Sequence, residues 1–207
     1  MKIDIINREQ WLNAAVEKFK PVFSSAGLEI PPLYVSCGFP SRNATSNKKR
    51  RIGECWDGLT SADKKPQLFI TPFLIDPIAP GGVLATLAHE LVHATIGCKA
   101  GHGPAFVKAM KKVGLEGKPT ATSANEELLA TCGSIVKSIG AYPHSELKLV
   151  KERKVQTTRM LKAACPECEY QIRLTRKWAA VGVPNCPCAG HGLLKLDNHL
   201  EEAPEGD

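Results

Sequence analysis

The chain has 207 residues, enough for one main core and a small appendage, and at 43% hydrophobic and 23% charged it has the composition of an ordinary folded protein. It contains no apolar run of about 18 residues and no basic-then-apolar leader, so neither a membrane span nor export is expected, and the cytosol is the expected location. The net charge of +6 is uneven: positions 146–177 carry nine Lys or Arg against four Glu, and 201–207 carry four acids.

Taken in order, Asn7 with Gln10 forms a capping-box variant. Trp11, Leu12, Ala15, Val16, Phe19 and Phe23 then recur at helical spacing up to a stop at Gly27. Pro31-Pro32 precedes a strand over Leu33 to Cys37, and residues 41–51 form a polar loop containing Lys48-Lys49-Arg50-Arg51, read as a solvated tip. Ile52 to Trp56 is a second strand. Gln67 to Thr71 is a third, placed at a sheet edge by Pro72 and Pro77, where it could pair with an extended substrate backbone near Phe69.

Ala79-Pro80-Gly81-Gly82 opens a helix carrying His89-Glu90-Leu91-Val92-His93 and ending near Gly97. Residues four apart share a helix face, so His89 and His93 can direct ring nitrogens to one Zn²⁺. Glu90 stands beside them without ligating, placed to take a proton from water at the metal. A turn over 99–103 leads to a helix starting at Pro104. A further helix is expected from a capping box Ser123-Ala124-Asn125-Glu126 to Lys137.

A catalytic zinc keeps three protein ligands and an open position. The metzincin spacing fails, because Ile96 and Lys99 stand where its glycine and histidine belong. Glu126 is occupied as a capping partner and Glu127 suits a first helical turn. His102, between Gly101 and Gly103, remains as the third ligand.

Eight cysteines in a chain without an export signal are expected to stay reduced. Cys37, Cys55, Cys98 and Cys132 are scattered and read as small core residues. Cys165-Pro166-Glu167-Cys168 and Cys186-Pro187-Cys188 are seventeen residues apart, as in a zinc ribbon with a closed structural metal. The second pair is one residue tight, which makes His191 a possible substitute ligand. Gln171 to Thr175 alternates as a strand, and Gly192 to Leu196 is a candidate partner for it. Lys162, Arg173, Arg176, Lys177 and Trp178 lie in or beside the ribbon. They suit phosphate neutralisation and base stacking, or equally a solvated basic face with Trp178 packed on its own strand.

His89-Glu90-Leu91-Val92-His93 followed by Gly101-His102-Gly103-Pro104-Ala105-Phe106-Val107-Lys108-Ala109-Met110 resembles the SprT-like metalloproteases, which include the Spartan proteases that degrade proteins crosslinked to DNA. The resemblance implies a catalytic zinc on His89, His93 and His102 with Glu90 as the catalytic residue. It extends to Tyr142-Pro143-His144 and to the cysteine-bearing tail, where similar members end in Cys-Pro-Cys, favouring Cys165, Cys168, Cys186 and Cys188 as the structural ligands. The Lys48 to Arg51 loop has no counterpart in the family pattern.

The expectation is an α+β fold: a zincin-like metalloprotease domain (1–145) with a small antiparallel-edged sheet, a basic linker (146–162), a small β zinc ribbon (163–200) and an acidic tail (201–207). The expected function is a zinc endopeptidase acting on DNA-associated or DNA-crosslinked proteins, with two zinc ions, protein substrate and DNA as partners, and no membrane. The alternative is a DNA-binding ribbon module whose protease-like half is structural or regulatory.

Overall fold

Helix α1 (Arg8–Ser25) starts on a closed capping box. The Asn7 side chain accepts from the Gln10 N–H, and the Gln10 side chain accepts from the Asn7 N–H. Its six predicted apolar positions are all buried, each large one contributing roughly 1.5–3 kcal/mol. Trp11 also donates its indole N–H to the Gly140 carbonyl at 2.9 Å. The computed structural model describes residues 7–149 and 160–196 and divides the chain into two compact units, Met1–Leu149 and Val150–Asp207. The expected basic linker therefore lies mostly outside the described residues, and the acidic tail wholly so.

Strands β1 (Tyr34–Cys37), β2 (Gly53–Trp56) and β3 (Gln67–Ile70) form a mixed sheet of order β1-β3-β2, with β1 parallel and β2 antiparallel to β3. This corrects the placement of the third strand, which is central and not at an edge. Pro72 stands just beyond it, and the Thr71 N–H still donates to the Ile52 carbonyl at 2.9 Å, so the proline removes no ladder bond. Backbone pairing at Phe69 is already taken by both neighbours. The antiparallel edge is β2, which packs against helix α2 (Val83–Ile96).

Helix α2 is buried at nearly every position from Val83 to Ala94, His89 being half-buried, which is why its sequence is apolar on more than one face. Gly97, at φ +85°, ends it. A 3₁₀ turn (Cys98–Ala100) and Gly101, at φ +52°, lead to α3 (Pro104–Lys112), with Pro104 in the first turn as expected.

A hairpin of β4 (Leu115–Lys118) and β5 (Ala121–Ala124) was not foreseen, and it overturns the Ser123 capping box. The N–H groups of Ala124 and Asn125 donate to Pro80 and Gly114, which holds the chain extended through 125. Asn125 then caps α4 (Glu126–Ile139) by accepting from the Leu128 N–H. Glu126 is thus a first-turn acid and not a capping partner.

In the second unit, β6 (Leu161–Ala164), β7 (Gln171–Leu174) and β8 (Lys195–Leu196) form an antiparallel sheet of order β7-β6-β8. β7 is the expected strand. β8 pairs with β6 and not with β7, and β6 starts inside the stretch read as linker. The fold class is α+β, as expected, and among the described residues no helix is long and apolar enough to cross a membrane.

Candidate metal centres

Helix spacing brings His89 and His93 to one face of α2, and the glycine-flanked turn before α3 returns His102 to meet them. The ligating atoms of the three imidazoles lie within 4.8 Å of one another. His102 Nε2 is 3.2 Å from His89 Nε2 and 3.3 Å from His93 Nε2. A tetrahedral zinc with nitrogen ligands at 2.0–2.1 Å requires neighbouring nitrogens about 3.3–3.4 Å apart, so the donor set fits the ion. Its protonation fits as well, because metal ligation needs neutral imidazole. Burial, then the neighbouring histidines, pushes His89 down to about 3. Burial and His102 push His93 down to about 4. His102 is lowered by burial and by Arg51.

The rings rest on Phe106 of α3, which is fully buried and stacks on His93 with centroids 4.4 Å apart, touching His89 and His102 at 4.8 and 5.0 Å. Thr122 of β5 places its hydroxyl 2.8 Å from His89 Nδ1. Accepting from Nδ1–H, it leaves the Nε2 lone pair aimed into the cluster. Thr122, 33 positions from its partner, carried no signal in the sequence, and Phe106 stood there only within the stretch that carries the resemblance, with no role of its own. Thr122→Val should weaken metal binding at this centre by about 10- to 100-fold while Thr122→Ser restores it, as measured by competition with a chromogenic chelator.

Glu90, 5% exposed, follows His89 on α2, lies against the backbone of β2 and lines the same cleft as the three histidines. Burial, reinforced by Cys98, pushes its carboxyl up to about 8. A Cβ added at Gly53 would lie 2.4 Å from Glu90 Oε1 and 2.8 Å from the Thr86 methyl, so only glycine lets the strand approach this closely. The isolated glycine in Ile52-Gly53-Glu54-Cys55-Trp56 was the available signal. Gly53→Ala should cost about 1–3 kcal/mol in a chemical melt. A displacement of Glu90 by about 1 Å should lower any Glu90-dependent turnover roughly 10²-fold.

These residues line a cleft of about 590 Å³ whose rim includes Lys49, Arg50 and Arg51. The loop read as a solvated tip is exposed from Lys48 to Arg51, as expected, and it also borders the cleft. Glu54 anchors it, accepting from the Ser41 N–H and hydroxyl, both at 2.7 Å, and pairing with Arg51. The Arg50 guanidinium sits 4.0 Å over the Phe73 ring.

In the second unit, the donor atoms of Cys165, Cys168, Cys186 and His191 lie within 4.8 Å of one another. Cys168 and Cys186 are 3.5 Å apart, and His191 Nδ1 is 3.6 and 3.7 Å from the sulfurs of Cys165 and Cys186. Zinc bonds of about 2.3 Å to sulfur and 2.0–2.1 Å to nitrogen require separations near 3.8 Å between sulfurs and 3.6 Å between sulfur and nitrogen. His191 thus joins three of the expected cysteines in the cluster, and Cys188, the fourth thiolate that the sequence favoured, has an exposed thiol 3.7 Å from Cys168. The tight Cys186-Pro187-Cys188 spacing is the reason: the chain turns back at Gly190, φ +84°, with the His191 N–H donating to the Cys188 carbonyl, and presents the imidazole.

Lys162 and Arg173 stand opposite each other in the β6–β7 register, and Arg176, Lys177 and Trp178 lie on a short helix, α5 (Arg176–Val181), that the sequence did not reveal. Trp178 stands on α5 and not on a strand and is 58% exposed, with the Lys177 ammonium 5.3 Å from its ring. Compared with known proteins, the chain matches no family model, no curated protein and no solved structure.

Proposed function

We propose that the chain is a zinc-dependent endopeptidase of the SprT-like type that acts on DNA-associated proteins, with His89, His93 and His102 as catalytic-metal ligands and Glu90 as general base. The observation that carries this reading is the convergence of three neutral imidazoles at zinc-compatible spacing beside one buried carboxylate in an open cleft. Zinc held there supplies a Lewis acid that acidifies water and polarises a peptide carbonyl. With the cation bound beside it, the Glu90 carboxyl would ionise, take a proton and return it to the leaving amine, within a desolvated wall that strengthens its electrostatic action. Edge strand β2 lies along the cleft and offers backbone pairing to an extended substrate. The second metal holds the ribbon closed, and the basic side chains of β6, β7 and α5 with Trp178 provide phosphate neutralisation and stacking.

The assay that tests this is digestion of a DNA-binding protein with and without DNA and with chelator. Cleavage should require metal and increase with DNA. The exposed Trp178 beside Lys177 also supports the alternative, a nucleic-acid-binding module with a structural protease-like half. Steeply salt-dependent DNA binding with no cleavage under any condition would establish that alternative and remove the first reading.

A further inference from the structure

Two cysteines that the sequence scatters 43 positions apart meet in the cleft. Cys55 lies on β2 and Cys98 on the 3₁₀ turn after α2, and their sulfurs are 3.1 Å apart. Both are half-buried and line the cleft, so a small reagent reaches them from solvent. The other two cysteines of this unit are differently placed: Cys132 is buried in the core, and Cys37 ends β1.

We propose that Cys55 and Cys98 are a redox-active dithiol that closes to a disulfide by exchange with low-molecular-weight disulfides. The Cys98 thiolate attacks one sulfur of the small disulfide, forming a mixed disulfide and releasing one thiolate. Cys55 then loses its proton and attacks the Cys98 sulfur, releasing the second thiolate. Two protein thiols are oxidised and one small disulfide is reduced to two thiols, so no further reactant is needed. Hydrogen bonding between the pair assists the order of events by holding Cys98 below its ordinary value and Cys55 above it. A disulfide needs its sulfurs at about 2.05 Å, an approach of roughly 1 Å from the separation found here. Its consequence is mechanical: the bond fastens edge strand β2 to the turn that leads into His102. The bond can form whatever reaction the histidine centre performs.

The test incubates the full-length, zinc-loaded protein with glutathione disulfide, alkylates free thiols and maps peptides by mass spectrometry. Zinc content is followed so that oxidation of the ribbon cysteines is recognised. The expected result is a Cys55–Cys98 linked peptide lighter by two hydrogens, reversed by reductant, with a raised melting temperature for the first unit because the crosslink restricts the unfolded chain. In Cys98→Ser the linked peptide is absent and Cys55 stays alkylatable. Recovery of both cysteines as free thiols, or of glutathione held on one of them without closure, would overturn the proposal.

Discussion

Glu90→Gln should retain both zinc ions and lose about 10²- to 10⁴-fold in peptide cleavage, the range that a positioned general base supplies. The substitution preserves shape against the Gly53 backbone, where an added Cβ would lie only 2.4 Å from the carboxylate oxygen, and it leaves His89, His93 and His102 untouched. What it removes is the capacity to accept a proton. Metal analysis and a fluorogenic peptide assay on the same sample separate the two effects, and undiminished cleavage by the zinc-loaded variant would remove Glu90 from the mechanism. A second readout comes from the metal-free protein. Burial raises this carboxyl from 4.5 to about 8, so the folded state binds its proton more tightly than the unfolded state does. Its contribution to stability is fully present below pH 4.5 and is lost as pH rises through 8. Glutamine does not ionise, so the metal-free variant should melt above metal-free wild type at pH 8 and alongside it at pH 4.

The second large effect concerns the ribbon. Among the described residues its buried set is Ala163, Cys165, Cys186 and Leu194, so two of its four buried residues are candidate ligands. A unit with so little apolar burial would depend on a metal held by these residues, and structural zinc in small domains contributes about 10–16 kcal/mol of apparent binding free energy. Chelation should therefore unfold residues 160–196 while the first unit, with its separate and much larger core, stays folded. Amide exchange read peptide by peptide distinguishes the two. His191→Ala should lower ribbon zinc affinity by more than the roughly 10- to 100-fold that loss of a ligand's hydrogen-bond partner costs, and Cys188→Ser should leave the zinc in place. The opposite ranking would restore the four-thiolate set.

What the sequence made legible was local. The cap at Asn7, the proline start of α3 and the i,i+4 pair on α2 each depend on residues within one or two turns, and each is found as read. What it hid was pairing. Whether β3 lies at an edge depends on where β1 and β2 come to rest, and prolines outside a strand resemble prolines within it. Ser123 and Asn125 are both competent caps, and the choice fell to hydrogen bonds that the Ala124 and Asn125 N–H groups donate to the Pro80 and Gly114 carbonyls, which no local pattern contains. His191 was visible as a substitute ligand from a single missing residue in the second cysteine pair, yet its preference over Cys188 required the turn at Gly190. The meeting of Cys55 with Cys98, and of Thr122 with His89, are tertiary facts in the same sense.

Phe106 gives the histidine centre a particular mechanical character. Three imidazoles supported by one phenyl ring on one helix behave like three legs on a common floor. His89 and His93 belong to α2 and His102 to the turn before α3, so a strain that tilts α3 shifts the phenyl floor and His102 against the other two rings and disturbs the set as a whole. Metal affinity is then tied to the integrity of the surrounding core, and the centre has little room to exist half-formed.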